Sequence, residues 1–209
     1  MNSIKKTIIA CCVSATGLLA LPASAGLFGN AHDDGVAAYE RGDYEGAAAN
    51  LLDAATHDDP QAYFYLGNMY RHGQGGLAYD TGSAYRLIKA AATEGYAPAC
   101  MELADWYNQG GDGLRANPSL SILWLQKAAK QNVVEAQMRL ADIYLHGQLG
   151  VLPDAELARH WLELAAAQGN AQAQAKLSSL RLNAIPSSDS NSDRVAARTV
   201  DLTANLPRN

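Results

Sequence analysis

The sequence predicts an all-α fold, a solenoid of helix–turn–helix repeats. Three observations predict it. Apolar and glycine positions recur every 37 residues. Within each unit, apolar residues fall four apart, on one face of a helix. Between these segments stand residue types that start and stop helices. The period matters most, because a fixed step of this length marks a stacked array. Ala62, Ala99, Ala136 and Ala173 keep the step, as do Leu66, Leu103, Leu140 and Leu177. Tyr70, Tyr107 and Tyr144 keep it too, followed by Gly73, Gly110 and Gly147, then Gly76, Gly113 and Gly150. Ala-Ala pairs follow at 91-92, 128-129 and 165-166, with Ala54-Ala55 one step earlier.

Residues 1–25 read as a cleavable export signal. Lys5 and Lys6 give a short positive start, Thr7 to Leu21 is an apolar run, and Pro22-Ala23-Ser24-Ala25 supplies the small cleavage-site residues. The run is short for a bilayer span, which needs about 20 residues. A lipoprotein reading at Cys11 leaves too short an apolar run ahead of it. Cleavage after Ala25 removes Lys5, Lys6 and no acid, so 14 of the 16 Lys and Arg remain against 21 Asp and Glu. That acidic balance argues against a nucleic-acid binder, whose phosphate affinity needs clustered Lys and Arg. The expected destination is the periplasm, with secretion as the alternative. Cys100 is then the one cysteine left, so no intrachain disulfide is expected.

The following elements read in order as a divergent first unit at 31–61, repeats at 62–98, 99–135 and 136–172, a capping helix at 173–183 and a polar tail at 184–209. In each repeat the first helix carries its apolar residues at Ala62, Leu66 and Tyr70, or the equivalents, and then meets glycines that break it. The second helix opens at Asp80, Asn117 or Asp154, whose side-chain oxygens suit the capping of free backbone N–H groups. It carries Leu87, Trp124 or Trp161, then the Ala-Ala pair, and stops at Gly95, Asn132 or Gly169. Glycine and asparagine are the types that best tolerate the left-handed turn ending a helix. The small alanines let neighbouring helices approach, and the large Tyr and Trp fill the spaces between. The last helix spans Asn170 to Asn183, with Ala173, Leu177 and Leu180 inward. Pro186 to Asp193 is polar and of low complexity, which predicts a disordered tail.

The pattern A-x3-L-[GA]-x2-Y-x2-G, then Asp or Asn, then W-L-x-[KL]-A-A-x2-[GN]-x3-A resembles the Sel-one-like repeat, a branch of the tetratricopeptide-like helical repeats. The resemblance covers Ala62 to Leu177 as three units and the opening of a fourth. In residues 31–61, Gly42, Asp43, Ala47, Leu51 and Ala54 fit the ordinary tetratricopeptide pattern with its shorter turn. Departures are the glycine-rich stretch at 110–113 and Ser121, where the other units have Ala84 and Ala158. The resemblance implies a right-handed α-α superhelical solenoid whose first helices line a concave side. It also implies a non-enzymatic scaffold that binds a protein or peptide partner there, in a process of the cell envelope. Carried over by position, the concave-face residues are Phe64, Asn68 and Arg71, then Met101, Asp105 and Asn108, then Met138, Asp142 and Leu145.

Catalytic and metal signatures are weak. His32-Asp33-Asp34 and His57-Asp58-Asp59 are types that bind metals, but they stand 25 apart, off the repeat, and Asp59 before Pro60 reads as a helix cap. His72 and His146 match across units, while the middle unit has Gln109, which suits a helix-end residue better than a ligand. Glu156 and His160, four apart, read as a surface pair. The glycine loops lack the Lys-Ser/Thr of a phosphate-binding loop. Cys100 beside Ala99 reads as a buried structural thiol. No cofactor or metal is expected, and the protein is expected to be a monomer. Two alternatives stay open. One is a cell-wall or polysaccharide binder stacking sugars on Tyr63, Tyr65, Trp106 and Tyr107. The other is a β-lactamase-like hydrolase of the kind described for cysteine-rich relatives, which have paired cysteines in every repeat.

Overall fold

The computed structural model describes residues 31–111 and 113–183. The expected export signal at 1–25 and tail at 184–209 lie outside the described residues, as does Asp112. Nine helices follow one another among the described residues: α1 (Ala31–Glu40), α2 (Tyr44–Thr56), α3 (Pro60–His72), α4 (Thr81–Thr93), α5 (Ala97–Gln109), α6 (Pro118–Ala129), α7 (Val134–His146), α8 (Ala155–Ala167) and α9 (Ala171–Asn183). The described residues contain no strand beyond an isolated bridge between Gly111 and Leu114. None of their helices is long and apolar enough to cross a membrane. The fold class is the all-α helical-repeat solenoid, at the expected period of 37.

Helix ends form where the residue types dictate. Asp80 and Asp154 each accept from two backbone N–H groups of the following turn, and Asn117 accepts from Leu120. Each of these satisfies donors that a helix start leaves unpaired. The Asp59 side chain accepts from the Gln61 N–H, with Pro60 in the first turn. Gly95, Asn132 and Gly169 all have positive φ, at 91°, 63° and 85°. The intra-repeat turn is closed by one recurring bond: Asp80 N–H to Tyr70 C=O at 3.0 Å, Asn117 to Tyr107 at 2.7 Å, and Asp154 to Tyr144 at 2.8 Å. The last helix begins at Ala171, with Asn170 accepting from the Ala173 N–H at 2.8 Å.

The chain divides into two compact units. The first runs to Leu103 and includes the Gly111–Leu114 turn. Here α1 packs on α2, α2 on α3, and α3 on α4. Its core holds Ala47, Leu51, Ala55, Ala62, Leu66, Met69, Leu87, Ile88 and Ala91, all essentially solvent-free. The backbones of α3 and α4 come close at Gly67, where a Cβ would stand 2.5 Å from Ile88 Cγ1 and 3.2 Å from the Ala84 carbonyl. The thiol of Cys100 is buried and donates to the Ala92 carbonyl at 3.5 Å, beside the Gly95 N–H that bonds the same oxygen at 3.2 Å.

The second unit takes Ala104–Gly110 and Arg115 onward. There α6 packs on α7, α7 on α8, and α8 on α9. Ala128, Ala136, Leu140, Ala141, Ala158, Leu162, Ala165 and Ala173 are solvent-free, and Trp161 nearly so. Leu177 is buried as expected, whereas Leu180 is only half-buried. Ser121, the departure from alanine, is buried and donates its hydroxyl to the Ala104 carbonyl at 2.8 Å. Gln137 donates to the Ala129 carbonyl at 3.1 Å. Gln137 and Ala129 stand one period beyond Cys100 and Ala92, so the same tie recurs with a different donor.

Ala165 has no accessible surface. Ala165→Leu is expected to overpack this contact and cost roughly 1–3 kcal/mol, read as a lower urea midpoint at unchanged m-value. An unchanged midpoint would show that the helices are not close-packed there.

Candidate protein-interaction face

The residues expected on the binding face fall on the first helix of each repeat, and each unit holds its own part. In the first unit, α3 carries Phe64, Asn68 and Arg71, and α5 carries Met101. Phe64 and Met101 are half-buried. Asn68 Nδ2 donates to Glu102 Oε2 at 3.4 Å, and Arg71 Nη1 donates to Glu102 Oε1 at 3.0 Å. The Glu102 side chain is only 17% exposed. Burial raises its pKa above the ordinary carboxylate range, while the Arg71 charge and the Asn68 hydrogen bond pull it back. Arg71 therefore holds a carboxylate that burial alone would drive toward its neutral form.

The second unit repeats the geometry with other charges. Asp105 accepts from Arg139 Nη1, and Arg139 Nη2 pairs with Glu135 at 2.7 Å. Asp142 pairs with Lys176. Glu102, Arg139 and Lys176 recur at the period, as do Asn68, Asp105 and Asp142. Each rung therefore joins matched positions of successive repeats, and its polarity reverses between units: Asn68 donates to an acid, whereas Asp105 and Asp142 accept from bases. Sequence reasoning missed Glu102, Arg139 and Lys176. The available signal was polar or opposite-charge types recurring at two matched positions of the period.

Asn68, Arg71, Asp105 and Asp142 thus all have partners within the chain. Met138 is buried. Asn108 is exposed, and Leu145 is half-buried. Of the other expected face residues, Phe64 and Met101 in the first unit and Asn108 and Leu145 in the second keep surface in water.

Other candidate sites resolve differently. Tyr63, Trp106 and Tyr107 are buried, and the Tyr63 hydroxyl donates to Asp58 at 2.9 Å. They have no ring face to offer a sugar, so the proposed glycan-stacking set reduces to the half-buried Tyr65. Glu156 pairs with Arg159 rather than His160, whose ring packs edge-on against Trp161 at 5.1 Å. One turn of helix also separates i from i+3, and the longer, always-charged Arg reaches the carboxylate there. His72 and His146 contact the Asn68 and Asp142 carbonyls at helix ends. Gly73 and Gly147 are left-handed caps of α3 and α7. The two His-Asp-Asp triplets touch: His32 Nδ1 bonds to Asp59 Oδ2, tying α1 to the start of α3. Among the described residues no group of three or more His, Cys, Asp or Glu is placed to hold a metal ion.

Glu102 supplies a pH test. Its raised pKa means the fold gains stability from this group in acid, fully below the unfolded value of about 4.3, and loses it as pH rises through the folded value. Glu102→Gln is expected to remove that part of the pH profile of urea stability. Arg71→Ala strands the carboxylate and is expected to cost about 1–3 kcal/mol at pH 7. Adding Glu102→Gln to Arg71→Ala is expected to restore part of the loss. A double variant as unstable as Arg71→Ala would show that the pair does not act as a unit.

A scan against protein families matches the Sel1 repeat model three times in succession, over residues 60–96, 97–133 and 134–170. A search of the curated proteins returns no match. Among solved structures, the chain is similar to a Sel1 repeat protein from Oxalobacter formigenes, with 27% identity and a TM-score of 0.62. That match covers 72% of this chain and 59% of the other. It is also similar to c5321, a protective antigen of uropathogenic Escherichia coli strains with an SLR fold. Identity there is 28% and the TM-score 0.61, over 70% of this chain and 32% of that one. This chain therefore spans about a third to three fifths of the length of these two relatives. Proteins of this repeat class serve generally as non-catalytic protein-interaction scaffolds. The chain belongs to the Sel1 repeat family.

Proposed function

We propose that this protein is a non-enzymatic scaffold of the periplasm that binds a protein or peptide partner through the first-helix face of its repeats. The observation that carries the reading is the composition of that face. Phe64, Met101, Asn108 and Leu145 offer apolar and amide contact area, while rungs such as Arg71–Glu102 and Asp142–Lys176 hold the helices in place. Adaptable apolar side chains beside hydrogen-bonding groups suit a polypeptide ligand. Export is supported by the lysines, apolar run and small residues of 1–25. Envelope processes are the setting in which exported relatives of this kind are expected to work.

The test is crosslinked affinity capture of tagged protein expressed in its native envelope. Asn108→Arg with Leu145→Arg, and separately Phe64→Ser with Met101→Ser, are expected to reduce recovery of the partner at least about tenfold, the scale of losing a few interface contacts. Arg86→Ala with Lys89→Ala, on a second helix, is expected to leave recovery unchanged. A partner lost only with the second-helix variant would move the site to the other face. The hydrolase alternative is tested with a chromogenic β-lactam, for which no turnover above the uncatalysed rate is expected.

A further inference from the structure

The first unit carries a contiguous belt of rings on its first-helix side. Tyr44 and Tyr39 have centroids 5.4 Å apart, Tyr39 and Tyr65 4.8 Å, Phe64 and Tyr65 5.5 Å, and Phe64 and Tyr96 5.3 Å. All five rings are half-buried, so each keeps some surface in water. The repeat does not require them. Tyr70, Tyr107 and Tyr144 recur at the period and are buried in the core. The belt positions change from unit to unit: Tyr65 becomes Glu102, Arg139 and Lys176, Phe64 becomes Met101, Met138 and Ala175, and Tyr96 becomes Val133 and Asn170. Packing common to all units therefore does not explain aromatic residues here.

The surroundings of the belt are acidic. Residues 31–103 hold eleven Asp and Glu against four Lys and Arg, a net of −7, whereas residues 115–183 hold five against seven, a net of +2. Glu102 lies near Tyr39 and Asp59 near Tyr96, and both charges add to burial in raising those phenols, Tyr96 to about 12. The nearby cations are engaged. Arg71 is bound to Glu102, Arg86 donates to the Ser83 hydroxyl at 2.8 Å, and Lys89 lies over the Tyr85 ring. His32 is bound to Asp59. Arg41, at the turn after α1, is the remaining Lys or Arg of this stretch. Interplanar angles of 53° to 73° set the rings as tilted walls rather than one flat shelf. Such walls suit a compact planar cation better than the broad face of a sugar.

We propose that this belt of Tyr39, Phe64, Tyr65 and Tyr96, on a unit of net negative charge, is the docking site for an arginine-rich segment of the partner protein. The site rests on the protein-binding reading given above and adds the chemistry of the partner. A guanidinium stacks on a ring face and is attracted by its quadrupole. The acidic field around the belt gathers cations and speeds their arrival. Tyrosine gives large contact area with few rotamers to freeze.

The test uses residues 26–209 and three fluorescein-labelled Gly-Ser peptides, carrying four Arg, four Lys or four Glu, read by anisotropy. The Arg peptide is expected to bind at least about threefold tighter than the Lys peptide, because arginine stacks where lysine is a point charge. The Glu peptide is expected not to bind. Phe64→Leu and Tyr96→Leu, which keep apolar bulk and net charge, are each expected to weaken Arg-peptide binding about five- to tenfold. Tyr79→Leu, at an exposed ring outside the belt, is expected to leave it unchanged. Independently of any variant, amide shifts of the wild-type protein on adding Arg peptide are expected at 39–44, 64–68 and 96–102. Equal affinity for the Arg and Lys peptides, shifts confined to residues beyond 115, or no binding would each overturn the proposal. An envelope partner that is lost with Asn108→Arg and Leu145→Arg yet retained by the belt variants would keep the scaffold reading and sink this one.

Discussion

Close contact between helices at small residues is the constraint on which each unit depends. Gly67 against Ile88 and Ala84 shows how little space remains between α3 and α4. Ala62, Ala84, Ala91, Ala136, Ala158 and Ala165 have no accessible surface at all. At this separation the large side chains fill the gaps on either side at crystal-like density, and neighbouring repeats stabilise one another. Without the alanines, the period would still place helices in order but would not let them meet.

The polar groups of the interior follow from that contact. Helix ends packed among apolar side chains leave carbonyls that need donors. At Ala92 and Ala129, one period apart, the turn N–H groups of Gly95 and Asn132 supply one bond, and Cys100 and Gln137 add a second. The lone thiol of the first unit thus occupies a donor position that another unit fills with an amide. Ser121 adds a hydroxyl bond to the Ala104 carbonyl, within α5 and not at its end. The rungs on the first-helix face obey the same rule at the surface, where Glu102 is buried enough to need Arg71 and Asn68. Exposed ion pairs contribute little to stability. Their value here is geometric, since each rung links the first helices of successive repeats.

The candidate face was half legible in the sequence. Its expected place on the first helices came from the family resemblance, which carried Phe64, Met101, Asn108 and Leu145 over by position along with five others. What the types could not convey was that Asn68, Arg71, Asp105 and Asp142 are occupied within the chain. A polar residue on a helix face looks the same in sequence whether its partner is solvent, a ligand or a side chain of the next repeat. The sugar-stacking set failed for a related reason. Tyr63, Trp106 and Tyr107 are buried, and aromatic character alone does not distinguish a binding ring from a filling one.

The sequence by itself determined the class of fold, the period of 37 and the positions of the helix ends, because these depend on local chemistry. Asp80, Asn117 and Asp154 cap the turn that follows them, and Gly95, Asn132 and Gly169 adopt positive φ whatever lies around them. The tertiary structure alone decided the pairings across repeats: His32 with Asp59, Glu102 with Arg71, Asp142 with Lys176, and the belt from Tyr44 to Tyr96. Those contacts join side chains far apart in the chain. They depend on the rotation and rise from one helix pair to the next, which no local pattern encodes.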